Sequence, residues 1–397
     1  METCPRHARV HFQSDLSVVA QSFALGVCHS RRDATAHIFA IWQQFCQDHN
    51  LDPTLVQYSD PVPLLQVFGH RYRSGNLAPS QTQVRGRTVG DAIRAVGQTL
   101  AGLGYRDPRL TSNGKLDVRL SRQLSSYIKH DTPPSRVKPI PITVLQQAAA
   151  VASLSQHPSQ QAIADMIIIG FYFLLRPGEY AATPNPDAAP FKLSNVRLFR
   201  HERRLDVLTT PSWEIHSATF VGLEFSTQKN GVKGEIIGLG RSGHLTFCPV
   251  KAVINRVLHL RQHHAPLHTP LYTYYHANHT HVVTTAHLTN TLRSITQTFG
   301  ARFGLIPSDI SVRSLRSSGA MALLCANIDT DRIRLLGRWR SDEMLRYLHV
   351  QAVPIVAPIA AAMLRHGHFS LLPARPQSPS QADHGAGPQP PGGTGGL

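Results

Sequence analysis

The spacing of apolar and polar positions separates a helical first part of the chain from a mixed second part. At 34–46 (ATAHIFAIWQQFC), His37, Ile38, Ile41, Trp42 and Phe45 recur near one face at 3.6-residue spacing, which predicts an amphipathic helix. The same period predicts helices at 62–73 and at 88–103, the latter with Val89, Ile93, Val96, Leu100 and Leu103 in register. A further one at 116–128 (LDVRLSRQLSSYI) closes a set of four or five helices without strand alternation.

Beyond residue 140 the signals mix. Helical periodicity covers 141–155 and 160–175, the second so apolar that it belongs at the centre of a core. Alternation at 197–209 and 217–226 predicts strands, Lys229-Asn230-Gly231 a hairpin turn, and 234–239 the return strand. A helix follows at 248–262 with Pro249 in its first turn, where a missing N–H costs nothing. Helical pattern resumes at 286–298, 314–326, 331–336 and 342–348, and no internal repeat is visible. The fold class is therefore mainly α with a small antiparallel β-sheet: an N-terminal helical domain followed by a mixed α/β domain.

Two breaks set the domain limits. Pro133, Pro134, Pro139 and Pro141 rule out a continuing helix and favour an extended connector at 131–141. Its Arg136 and Lys138 suit a linker lying along a phosphate backbone, or are incidental charges on an ordinary linker. The stretch 371–397 is mostly Pro, Gly, Ser, Gln and Ala, too apolar-poor to offset its ordering entropy. The expected organisation is an N-terminal extension (1–29), a helical domain (30–130), the linker (131–141), the mixed domain (142–366) and a disordered tail (367–397).

Composition narrows the partner. The 397 residues are 42% hydrophobic, enough for a sizeable core, and carry 40 Lys and Arg against 24 Asp and Glu, a net charge of +16. Such an excess, spread along the chain, suits a long polyanion, because each neutralised phosphate releases condensed counterions. Cys4, Cys28, Cys46, Cys248 and Cys325 are scattered with no C-x-x-C pair, which reads as reduced thiols in a reducing compartment rather than a disulfide frame or zinc site. Glu2, Arg6 and His7 precede any apolar stretch, so no signal peptide is visible. The most apolar run, 166–175, falls well short of the roughly 20 residues a bilayer requires. A soluble, intracellular protein without a membrane partner is expected; RHERR at 200–204 is the nearest approach to a basic nuclear-import signal.

Four spots carry candidate chemistry. FYFLLRPGE (171–179) ends an apolar helix on Arg176, whose burial is unfavourable unless an anion or carboxylate receives it. TQKNG (227–231) puts Lys229 at a hairpin tip, where it can reach a neighbouring site as a point-charge acid. In SVRSLRSSGA (311–320), Arg313 and Arg316 are three apart and are expected to share a helix face, crowded unless a phosphate lies between them. LGRWRSDEMLRYL (336–348) places Tyr347 among arginines. The histidines at 263, 264, 268, 276, 279 and 281 lack cysteine neighbours and fit a loop or edge strand better than a metal site.

The ordered set Arg176, Lys229, Arg313-x-x-Arg316, Leu336-Gly337-x-Trp339, Tyr347 resembles the catalytic half of the tyrosine recombinases, the phage-integrase-like DNA strand transferases. Tyr347 follows Arg316 by 31 residues, compatible with that family. The segments DPVPLLQVFGHRYRSGNLA, LGYRDPRL, GKLDVRL and PPSRVKPIP are similar to recombinase-like proteins of eukaryotic mobile elements, so the resemblance spans about residues 30–350. It implies two domains clamping duplex DNA as a homodimer or homotetramer, and nuclear residence if the host is eukaryotic. It also implies that Tyr347 attacks a scissile phosphate to give a 3′-phosphotyrosine, Arg176 and Arg316 clamp its oxygens, and Lys229 protonates the departing 5′-oxygen, with no metal or other cofactor. Arg71, Arg73, Arg85 and Arg87 become candidate groove or backbone contacts.

Two positions depart from the family pattern. Arg313 stands three residues before Arg316, and Arg338 nine before Tyr347, where the family usually has His and His or Trp. Arginine stays protonated, so neither serves as a general base, though either can bind phosphate and lower the tyrosine pKa. A DNA-binding relative with impaired cleavage and a type IB topoisomerase-like enzyme are the alternatives. The apolar segment 352–364 is expected to dock on a neighbouring protomer or to pack on its own domain.

Overall fold

The computed structural model describes residues 6–132, 137–155, 157–227, 233–326, 328–339 and 359–368. Chain packing separates two units, Met1–Ser135 with Asn185–Asp187, and Arg136–Pro184 with Ala188–Leu397.

The first unit is helical: α1 (Arg6–Leu25), α2 (His29–Asp48), α3 (Val62–Ser74), α4 (Gly86–Gly102) and α5 (Val118–Lys129). Helices α2 to α5 follow the apolar stripes. Trp42 and Phe45 of α2, Leu65 and Phe68 of α3, and Val89, Ile93, Val96 and Leu100 of α4 form one buried cluster with Leu120 of α5. Trp42 stands edge-on to Phe68 at 5.2 Å, and its indole N–H donates to the Pro53 carbonyl at 2.9 Å, so its polar tip is satisfied inside the core. Two members of the stripes face outward: His37, and Leu103, which lies just past the end of α4. Helix α1 falls in the N-terminal extension, where periodicity predicts no element, because its Leu16, Val19 and Phe23 are exposed rather than gathered into a core stripe.

The second unit centres on α7 (Pro158–Tyr172), whose residues from Ala162 to Tyr172 are all buried. Around it pack α6 (Ile142–Leu154), α10 (Pro249–Gln262), α12 (Ser314–Cys325) and the strand β5 (Thr273–His276). The main sheet is antiparallel in the order β2-β1-β3-β4, with β1 Val196–Arg200, β2 Arg203–Leu205, β3 Phe220–Glu224 and β4 Ile236–Gly240. The single strand expected at 197–209 is thus a hairpin, reversed at His201, which takes a left-handed φ of 52° without the glycine or asparagine that would announce the turn. A second, two-stranded ribbon pairs β5 with β6 (His279–Val282). The short helices α8 (Pro177–Tyr180) and α9 (Ser212–His216), then α11 (Thr285–Phe299), α13 (Thr330–Gly337) and α14 (Ile359–His366), complete the unit. Helix α14 packs on α12 and β4 with Ile359, Ala360 and Met363 buried. This part of the apolar C-terminal segment therefore covers its own domain; 352–358 lie outside the described residues.

A charge pair is buried in the middle of α7. Asp165 and Arg256 are each about 1% exposed, with 3.6 Å between Asp165 Oδ2 and Arg256 Nη1. Asp165 Oδ1 accepts from Gln161 and Asn255, both at 3.0 Å, and Arg256 Nη2 donates to the Thr273 carbonyl at 3.1 Å, tying α7, α10 and β5 together. Removing one partner leaves an uncompensated buried charge. Asp165→Ala is expected to lower unfolding free energy by about 3–5 kcal/mol in urea titration, whereas the double replacement Asp165→Leu with Arg256→Met is expected to recover most of it.

Candidate active site

The last turn of α7 opens the site. Leu174, buried and in a left-handed conformation (φ 49°), turns the chain so that Leu175 stays in the core and Arg176 emerges as the N-cap of α8. Glu179, three residues on, accepts from the Arg176 backbone N–H at 2.7 Å with Oε2 and from Arg176 Nη1 at 3.1 Å with Oε1. The same Oε2 receives Arg338 Nη2 at 2.9 Å. One buried carboxylate is thus shared by two guanidiniums from opposite ends of the domain's sequence.

Arg316 completes the group. Its Nη1 donates to the Leu174 carbonyl at 2.5 Å, its Nη2 to the Gly337 carbonyl, and its guanidinium lies 4.4 Å from the Trp339 ring centre. Two glycines permit this approach. A Cβ on Gly319 of α12 would stand 2.3 Å from the Phe171 carbonyl oxygen, and one on Gly337 would collide with the Trp339 ring. Small residues there let α12 sit against the end of α7 and let Trp339 fold beneath Arg316.

Arg338 caps α13 with a left-handed φ of 54°, is 6% exposed, and lies 4.2 Å from the Phe225 ring at the end of β3. Its Nε and Nη1 are buried and have no hydrogen-bond partner among the described residues. Burial first, and then the charges of Arg338 and Arg176, push the Arg316 guanidinium down to about 9, with Glu179 opposing. Burial, together with the charge of Arg176, likewise pushes Arg338 down to about 10, against the pull of Glu179 and Glu235. Among the described residues three guanidiniums gather about the Glu179 carboxylate, with Glu235 acting on Arg338 as well, so cations outnumber carboxylates there, and an oxyanion is a group that such a cluster can accept.

The expected residues therefore fall into distinct places. Arg176, Arg316 and Arg338 converge. Arg313 does not: it is exposed, and its N–H donates to Ser311 Oγ in the turn before α12, which begins only at Ser314. The shared helix face expected for Arg313 and Arg316 is absent for that reason, and the close neighbours of Arg316 are Arg176 and Arg338. Lys229 and Tyr347 lie outside the described residues, as does Arg136. Strands β3 and β4 pair on either side of 228–232, held by the Phe225 N–H on the Glu235 carbonyl and the Gly234 N–H on the Phe225 carbonyl, both at 2.8 Å. Glu179, Phe225, Trp339 and the Leu174 and Gly337 carbonyls are the participants that motif reading did not assign. Glu179 carries a signal in its i+3 spacing from an arginine at a helix start, and Gly337 and Trp339 in the Leu336-Gly337-x-Trp339 motif, though without a role attached.

Outside this pocket the expected DNA contacts divide. Arg85 and Arg87 are exposed at the start of α4, and Arg71 donates to His49 Nε2 at 2.9 Å. Arg73 is buried, paired with Asp131, bonded to the Val84 carbonyl and packed over Tyr127, so it holds α3 to α5 instead of facing a groove. Lys138 pairs with Asp309 at 2.8 Å, which accounts for its charge within its own unit. Among the described residues no group of three or more His, Cys, Asp or Glu could hold a metal ion, and no helix is long and apolar enough to cross a membrane.

No family model and no curated protein matches the chain. Solved structures similar to it are tyrosine recombinases and integrases. The Tn1549 transposon integrase (residues 82–397), in complex with circular intermediate DNA, is 13% identical with a TM-score of 0.46, over 84% of this chain and 94% of that one. The XerH site-specific recombinase bound to its difH substrate is 13% identical with a TM-score of 0.37, over 74% and 75%. The integrase from mycobacterium phage Brujita is 13% identical with a TM-score of 0.33, over 89% and 92%.

Glu179→Gln tests the electrostatics of the pocket. Removing the carboxylate that Arg176 and Arg338 share is expected to destabilise the second unit by about 3–5 kcal/mol, and 0.1 M sulfate is expected to restore part of the lost melting temperature by binding the cationic cluster. An unchanged melting temperature in the variant would contradict this reading of Glu179.

Proposed function

We propose that the chain is a DNA strand transferase of the tyrosine recombinase type, cutting and rejoining duplex DNA through a 3′-phosphotyrosine. The observation that carries this reading is the convergence of Arg176, Arg316 and Arg338, far apart in sequence, about the buried Glu179 carboxylate. The order of the motifs along the chain supports it independently.

In this mechanism the Tyr347 oxygen attacks the scissile phosphorus, the P–O5′ bond breaks, and Lys229 gives its proton to the departing 5′-oxygen. Arg176 and Arg316 hold the non-bridging oxygens and offset the charge that grows on them in the transition state. Arg338 lies one helix cap from Arg316, where its unpartnered N–H groups can take a further share of that charge. The phosphotyrosine keeps the energy of the broken ester, so religation needs no nucleotide. A homodimer or homotetramer on DNA, and origin in a mobile element, belong to the same reading.

The phenolic proton is the weak point. Arg313, exposed before the start of α12, and Arg338 are both cations, so neither takes that proton, which passes to solvent hydroxide. Cleavage is accordingly expected to be slow at pH 7 and to rise with pH until Arg316 begins to lose its charge, at about 9. The test is covalent trapping: the full chain is incubated with a pool of nicked random duplexes and run on a denaturing gel, with Tyr347→Phe as control. DNA attached to the wild type alone supports the proposal. Retained, salt-sensitive DNA binding with no attachment from pH 7 to 9.5 would instead identify a DNA-binding relative that no longer cuts.

A further inference from the structure

The β5–β6 ribbon lies outside the arginine pocket and has no part in the mechanism above. Its turn, Ala277-Asn278, has both residues at positive φ (46° and 61°), the tight reversal of a two-residue hairpin. His276, His279 and His281 are exposed along it. Aromatic packing stiffens the ribbon: Tyr274 stacks on His281 with ring centres 5.2 Å apart, and Tyr275 stacks on His263 at 4.8 Å. His157, at the N-cap of α7, lies 4.4 Å from His276.

The charges around the ribbon are one-sided. The elements packed against it are α7 and α10. Helix α7 brings His157 and Asp165, and Asp165 is buried and committed to Arg256; α10 brings Arg256, His259 and His263 and carries no acid. His259, pushed down to about 4 by burial and by Arg256 and His263, accepts from the Tyr275 N–H at 2.9 Å and stays neutral. No Asp or Glu occurs anywhere between Glu235 and Asp309. Protonation of the exposed histidines therefore meets no local carboxylate and turns a polar ribbon into a cationic one.

We infer that the β5–β6 ribbon is a second contact for duplex DNA, one that strengthens as its histidines take up protons. This rests on the strand-transferase reading. A stiff two-stranded ribbon has the dimensions to enter the major groove, and its imidazolium groups would also bind flanking phosphates. Helix α7 has 15 residues, so His157 at one end is about 22 Å from the turn that leads to Arg176 at the other. The ribbon thus engages DNA flanking the scissile phosphate, not the phosphate itself.

The test is fluorescence anisotropy of the full chain with a labelled 30-base-pair duplex, at pH 6.0 and pH 8.0, over a salt series with chelator throughout. Wild type is expected to bind about tenfold more tightly at pH 6.0 in 0.15 M salt, with a log–log salt slope steeper by about 2–3. The triple variant His276→Gln, His279→Gln, His281→Gln, all at exposed positions, is expected to lose most of that ratio. The matching triple arginine variant is expected to bind tightly at both pH values. A glutamine variant that keeps the wild-type ratio, or a wild type that binds equally at both pH values, would overturn the ribbon contact and leave the strand-transferase reading intact. Failure of wild type to bind duplex at either pH, even at low salt, would overturn both.

Discussion

The carboxylate of Glu179 is the point on which the second unit's pocket depends. It faces Arg176 and Arg338 at once, while Arg316, held by the Leu174 and Gly337 carbonyls, adds a third cation within its field. Among the described residues the three cations outnumber Glu179 and Glu235, an excess that a bound anion would offset. That excess is what the proposed function draws on when it assigns an oxyanion to this cluster. The Asp165–Arg256 pair in the same unit shows the contrast, with one cation matched to one carboxylate.

Bringing three arginines together requires close backbone approach and unusual turns. Gly319 lets α12 touch the end of α7, and Gly337 gives Trp339 the space to support Arg316. Leu174 and Arg338 both adopt left-handed backbone, a conformation that costs non-glycine residues of order 1–3 kcal/mol and is held here by the surrounding core. In Leu174 the turn aims the carbonyl oxygen at Arg316 and Arg338; in Arg338 it swings the side chain from the α13 cap back to Glu179. Both turns orient the groups that the proposed chemistry uses.

Much of this architecture was legible in the pattern of residues. Helices α2 to α5, α7 and α10 have apolar stripes or runs long enough to read, and the β3–β4 hairpin is announced by Asn230-Gly231. Helix α1 was not legible, since its apolar residues do not enter a core. The β1–β2 reversal was hidden because His201 takes a left-handed turn that histidine seldom signals. At the site, Arg176 and Arg316 were found from motif order, but the three-residue spacing of Arg313 and Arg316 misled. It measures a shared face only inside a helix, and Arg313 precedes α12. Arg73 and Lys138 looked like free cations because their carboxylates, Asp131 and Asp309, are far away in sequence. Partners brought in by tertiary packing are invisible to spacing.

In the proposed chemistry the arginine cluster receives the scissile phosphate. The most direct test is the crystal structure of the full chain grown with a short duplex and orthovanadate, whose trigonal-bipyramidal form mimics phosphorus in transfer. Vanadate is expected to bridge the DNA ends and a tyrosine oxygen, with its equatorial oxygens held by Arg176 and Arg316. Vanadate and DNA bound elsewhere, with the three arginines still gathered on Glu179 alone, would contradict it.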